Sequence, residues 1–127
     1  MLTRIGMLSL LVLIPLATQA EKGQFEISVG TQKHVFPPLC IKSLHYTKQG
    51  KTDSEYLSLQ LTDICRERMA KITHENMAKQ INVSYQGNPL FSSMITQRLE
   101  SGFRFNTEQT SRVVLMQLIK DYEILIE

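Results

Sequence analysis

The sequence predicts an α+β domain, with two helices packed on one face of a mixed, mostly antiparallel sheet. Three observations carry this expectation. Several short segments alternate apolar and polar residues with the period of a half-buried strand. Two longer segments place apolar residues at helical spacing behind residues able to cap a helix. Strands and helices also interleave without repeating βαβ units, which sets the chain apart from parallel α/β folds.

Met1 to Ala20 holds one early cation, Arg4, then an apolar run from Ile5 to Leu16, then small residues at Thr18 and Ala20. This is the layout of a secretory signal peptide cleaved after Ala20. A membrane anchor is the alternative, but the run is about a dozen residues against the roughly 20 that a spanning helix needs. No cysteine follows the cleavage site to carry a lipid. Residues 21–127 are therefore expected to form a single periplasmic domain with no stable membrane anchor.

The next elements can be read in order. Gln24 to Val29 alternates Phe25, Ile27 and Val29 with polar residues and reads as an edge strand ended by Gly30. Val35 to Cys40 is extended, since each proline turns its predecessor away from helix. Ile41 to Thr47 is a further strand, and Gln49 to Ser54 is a polar turn. Tyr56 to Leu61 places Leu57, Leu59 and Leu61 in strict alternation, the clearest strand of the first half.

A helix capped by Thr62 or Asp63 is expected to run to about Ala78, with Cys65, Met69, Ile72 and Asn76 on its inward stripe. Ile81, Val83 and Tyr85 then alternate with Asn82, Ser84 and Gln86 along a strand with one buried and one wet face. Gln86-Gly87-Asn88-Pro89 supplies a turn, because glycine tolerates positive φ and asparagine visits the left-handed region. Leu90 to Ile95 returns at hairpin distance, and Phe103 to Phe105 follows Ser101-Gly102 as a short strand. A second helix, Thr107 to Lys120, opens with Asn106 as cap and Gln109 in the reciprocal capping position. It carries so many apolar residues, Met116 among them, that most of its surface should be covered. Tyr122 to Glu127 alternates again and reads as a last strand.

Cys40 and Cys65 are the only cysteines. An oxidising compartment favours joining them, and the bridge would close a loop of about 25 residues, worth roughly 3–4 kcal/mol. Two buried free thiols are the other reading. A metal site is disfavoured, since the thiols lack a nearby histidine pair.

Composition narrows the function. Hydrophobic residues make up 43% and charged residues 20%, ordinary for a globular chain, with a formal net charge of +2. One of those positive charges is Arg4, and no lysine-arginine run exists, which argues against nucleic-acid binding. His74-Glu75 is followed by Ala78 where a zinc protease would need its second histidine. His34 and His45 could approach each other on neighbouring strands, yet no third ligand is placed. Nucleophile-elbow, phosphate-loop and dinucleotide motifs are lacking, so neither a catalytic activity nor a cofactor is expected. Asn82-Val83-Ser84 matches a glycosylation acceptor but lies inside a strand.

From Tyr56 onward, the order of elements resembles the SecDF P1 head subdomain. The resemblance rests on strand Tyr56–Leu61 and the helix ending Ile72-Thr73-His74-Glu75-Asn76. It continues through strand Ile81–Tyr85, the Gly87 turn, Ser92-Ser93-Met94-Ile95, Ser101-Gly102, Phe103–Phe105, a Thr-Glu-initiated helix and a terminal strand. It covers roughly Leu57 to Ile126. It implies the fold and an extracytoplasmic binding role. It does not imply the family's proton-driven export step, because no membrane bundle accompanies this chain. Further glycines of the family, near Asn76 and the Ser101-Gly102 turn, are replaced here by Met77-Ala78 and Glu100.

Binding to another protein is therefore the expected task. The partner is either an export-related periplasmic factor or a toxic enzyme that the chain would neutralise as an immunity protein. The candidate contact residues are Asn82, Ser84 and Gln86 on the wet face, Asn88 at the turn, and Gln97 and Arg98 in the polar connection. Exposed loops on a rigid sheet are where partners usually dock.

Overall fold

A computed structural model describes residues 22–48 and 55–124. The predicted leader, the Gln49 to Ser54 turn and the last three residues of the expected terminal strand lie outside them. Seven strands and two α-helices make up the described chain. The α+β class holds. Where the sequence suggested one mixed sheet, however, the strands divide into two, and every pairing is antiparallel.

Strands β1 (Phe25–Val29) and β2 (Gln32–Phe36) form a hairpin, and β5 (Gln80–Tyr85) and β6 (Asn88–Met94) form another. Together they make a four-stranded sheet in the order β2-β1-β5-β6. Strands β3 (Ile41–Thr47), β4 (Tyr56–Leu61) and β7 (Gly102–Asn106) make a second sheet in the order β3-β4-β7. β1 is thus an interior strand, not the edge its sequence suggested. Its partner β2 is hard to read because only one of its five residues, Phe36, is buried.

One core joins the two sheets. Phe25, Ile27, Val83 and Tyr85 of one sheet share a single buried cluster with Leu57, Leu59 and Leu61 of the other, and all seven are essentially inaccessible. Burying each such side chain stabilises the fold by about 1.5–3 kcal/mol. Gly102 sits where β7 meets β4. Its φ is +148°, and a Cβ there would lie 1.9 Å from the Leu59 carbonyl oxygen, so only glycine fits.

Helix α1 (Asp63–Glu75) buries Cys65, Met69 and Ile72, as the spacing predicts. It ends before Ala78. Asn76 donates its side-chain amide to the Ile72 carbonyl, and Ala78 takes a φ of 69°, which breaks the helix. Thr62 precedes the helix without capping it, because its hydroxyl donates instead to the Leu39 carbonyl. The Cys40–Cys65 disulfide lies beside that contact, with a Cα–Cα distance of 5.3 Å. It ties the 3-10 turn Pro38–Cys40 to the first turn of α1.

The β5–β6 turn is tighter than expected. Gln86 and Gly87 take φ of 50° and 81°, while Asn88 and Pro89 already belong to β6. Proline is tolerated there because the ladder is irregular between Val83 and Ser84, and an edge strand has no partner beyond it.

The second helix also starts later. Asn106 accepts from the Glu108 N–H, but it caps a 3-10 turn, Thr107–Gln109. The helix α2 (Arg112–Asp121) begins after Ser111, whose side chain accepts from the Val114 N–H. Leu115 and Leu118 face the core, whereas Val113 and Met116 remain 79% and 57% exposed. Met116 is therefore not a core residue, because one stripe of a single-sided helix suffices for the contact. After α2 the chain turns at Tyr122-Glu123, where Glu123 has a φ of 50°, and no strand has formed by Ile124.

Candidate functional site

Strands β6 and β7 belong to different sheets, and residues of both line one cavity. Near one end the Phe91 and Phe105 rings stack, with centroids 4.4 Å apart. Farther along, an open groove of about 360 Å³ separates the strands. Val83, Phe91, Leu99 and Phe103 give it apolar walls, and Met94, Thr96, Gln97 and Arg104 form its mouth. Among the described residues that line it there is no histidine and no carboxylate. The groove can hold an apolar group but carries no general acid or base.

The backbone at its mouth has a definite polarity. In an antiparallel ladder, alternate residues of an outer strand point their peptide groups away from the sheet. The Leu61 N–H donates to the Ser101 carbonyl and the Thr107 N–H to the Glu55 carbonyl. This phase leaves the peptide groups of Gly102, Arg104 and Asn106 on the open edge of β7. On β6, the Ile95 N–H bond to the Lys79 carbonyl likewise leaves Ser92 and Met94 pointing outward.

The edge of β6 is largely occupied. The Gln109 side-chain carbonyl accepts from the Ser92 N–H at 3.1 Å, and its amide donates to the Ser92 carbonyl at 3.3 Å. The Thr110 hydroxyl donates to the Leu90 carbonyl at 2.8 Å. The other outer strand of that sheet, β2, is met by Arg68, whose guanidinium donates to the Val35 carbonyl at 2.9 Å and lies over the Phe36 ring.

The sequence-predicted contact residues do not converge. Asn82 and Ser84 lie on the outer face of the four-stranded sheet, where Asn82 accepts from the Ser92 hydroxyl. Gln86 and Asn88 stand at the hairpin end, and the Asn88 side chain donates back to the Tyr85 and Gln86 carbonyls. Gln97 reaches the groove mouth. Arg98 pairs with Glu100 at 3.2 Å over a separate charged cleft beside Asp63 and Arg66. Sequence reasoning missed Phe91, Phe103 and Arg104 as a group. The alternation of Phe103-Arg104-Phe105 marked a strand, but nothing local showed which of its edges stays open.

Two polar clusters hold the ends of the fold. The Tyr85 hydroxyl donates to the buried Asp121 carboxylate at 2.6 Å and accepts from the Gly23 N–H at 2.9 Å. Gln117 donates to the other Asp121 oxygen at 2.6 Å. Burial, then the hydrogen bond to Asp121, raises the Tyr85 pKa well above its ordinary value. Burial also pushes Tyr122 to about 12. At the opposite end, Arg112 forks onto both Glu55 oxygens at 2.8 and 2.9 Å, and the Tyr46 hydroxyl donates to Glu55. The Tyr46 and Arg112 bonds hold the Glu55 carboxyl below its usual range.

The histidines are dispersed. His34 lies in β2 and His45 in β3, hence in different sheets rather than on neighbouring strands. His74 is exposed near the end of α1. No group of three or more metal-ligating side chains occurs among the described residues.

Compared with known proteins, the chain matches no family model and no curated protein.

Proposed function

We propose that this chain is an exported, non-catalytic periplasmic protein that acts by binding another protein, on a SecDF P1-head-like fold. The observation that carries the binding reading is the apolar groove between β6 and β7, open to solvent and bordered by sheet edge. Apolar surface left at such a mouth is stabilised by a partner that covers it. The export reading is supported by the leader-like first 20 residues and by the disulfide, which suits an oxidising compartment. No helix among the described residues is long and apolar enough to cross a membrane. The likeness to the P1 head is supported by the order of elements from β4 through α1, β5, β6 and β7 to α2.

Affinity capture with mature, oxidised protein from the envelope fraction of its own cells tests this reading. A parallel capture uses Thr96→Trp, which fills the groove mouth from an exposed position. A stoichiometric partner lost with the variant is the expected result. If that partner is a secreted hydrolase silenced on binding, the chain is an inhibitor; export machinery would make it an accessory factor. Equal capture by both proteins would remove the groove from the proposal, and an empty eluate would remove the partner.

A further inference from the structure

The four outer strands of the described sheets are treated differently. The Val35 carbonyl of β2 is held by Arg68. Both peptide groups of Ser92 in β6 are held by Gln109, and the Leu90 carbonyl by Thr110. β3 has an irregular register between Ile41 and Ser43, with the exposed Lys42 at that point. Side-chain plugs, lysines and bulges are the ordinary means of keeping a sheet edge from pairing with another chain. At β7 the outward peptide groups of Gly102 and Arg104 lie beside the one apolar groove described above.

Resting on the binding reading above, we infer that the groove receives an extended segment of another polypeptide, which adds to β7 as a strand. Two features select this occupant. An edge with outward N–H and C=O groups is satisfied in register by another peptide backbone. The groove beside it accepts apolar side chains, and in an added strand these occur at every second position. The Phe91–Phe105 stack closes the far end. The segment therefore pairs along Gly102 and Arg104 and lays an inward apolar side chain against Phe103. The Gln109 plug keeps the same segment off β6, so the site is one-sided and the register is set by β7.

The test selects binders to the mature, oxidised protein from a displayed library of random linear peptides. The selected peptides are then synthesised with and without backbone N-methyl groups. The expected peptides have alternating apolar residues and protect the Arg104 amide from hydrogen exchange. N-methylation at every second position, on the pairing side, weakens them by roughly fivefold to tenfold per blocked bond, while the other side tolerates it. Arg104→Pro removes the outward donor and keeps the β7–β4 hydrogen bonds, at the loss of the Arg104 guanidinium over the Tyr56 ring, and weakens binding similarly. Peptides that bind the groove but tolerate N-methylation on both sides overturn the added strand and leave the binding reading intact. A protein that dimerises through β7 instead overturns the foreign segment. If no peptide is selected while envelope capture still yields a Thr96-sensitive partner, the occupant is a folded surface. If both fail, the binding reading falls as well.

Discussion

Gln109 meets Ser92 as a neighbouring peptide would, accepting from its N–H and donating to its carbonyl across 17 residues of sequence. One side chain thereby supplies the bonds of a missing strand at the middle of β6. Gln109→Ala leaves both Ser92 groups to water or to another molecule. The expected cost is about 1–2 kcal/mol in urea unfolding. Sedimentation should also reveal concentration-dependent association that the parent protein lacks, and a variant that stays monomeric would show the plug to be dispensable.

The disulfide anchors the start of α1. Replacing Cys40 and Cys65 together by alanine should lower stability by roughly 3 kcal/mol, since the loop they close spans 25 residues. Thermal unfolding with and without reductant gives the same comparison on the unaltered chain. An unchanged melting temperature on reduction would mean that the bonds from the Thr62 hydroxyl to the Leu39 carbonyl and from the Thr62 N–H to the Cys40 carbonyl (2.8 Å) suffice to hold this corner.

Gly102 is the described glycine with the least room for a side chain. Gly102→Ala brings a methyl group 1.9 Å from the Leu59 oxygen at a φ of +148°. We expect a loss of at least about 3 kcal/mol, with β7 detached from β4 first. Hydrogen exchange localises the effect: the Phe103 and Phe105 amides should lose protection before those of β1.

Tyr85 and Tyr122 make stability fall in alkali. Burial raises the pKa of both above the ordinary 10.0, Tyr122 to about 12. In the unfolded chain they release their protons first, so above pH 10 the folded state binds more protons than the unfolded one. Their contribution is complete below about pH 10; that of Tyr122 is lost as pH rises through about 12, and that of Tyr85 at still higher pH. Tyr85→Phe should flatten this slope in a series of melting temperatures. It should also cost about 1–3 kcal/mol at neutral pH, because Asp121 and the Gly23 N–H lose a buried partner. An unaltered alkaline slope would count against Tyr85 as its source.

The sequence by itself determined the local periodicities. The alternation of Leu57, Leu59 and Leu61, and of Ile81, Val83 and Tyr85, requires a strand with one buried side whatever surrounds it. The stripe through Cys65, Met69 and Ile72 requires a helix, whereas Cys40 and Cys65 could have stayed free thiols until the structure joined them. The β5–β6 hairpin was legible from its turn, but for the other strands only the tertiary structure decided the pairing, because peptide hydrogen bonds carry no residue identity and several alternating segments can fit one another. It divided the strands into two sheets, put β1 inside instead of at an edge, and turned Gln109 from a helix cap into a plug. Terminal positions were the least legible, since Thr62 and Gln109 can cap a helix or bond elsewhere and the choice depends on neighbours far along the chain. The groove follows the same rule. Phe91 and Phe103 are twelve positions apart in the sequence, and they share one cavity only because the tertiary fold brings strands of two different sheets to either side of it.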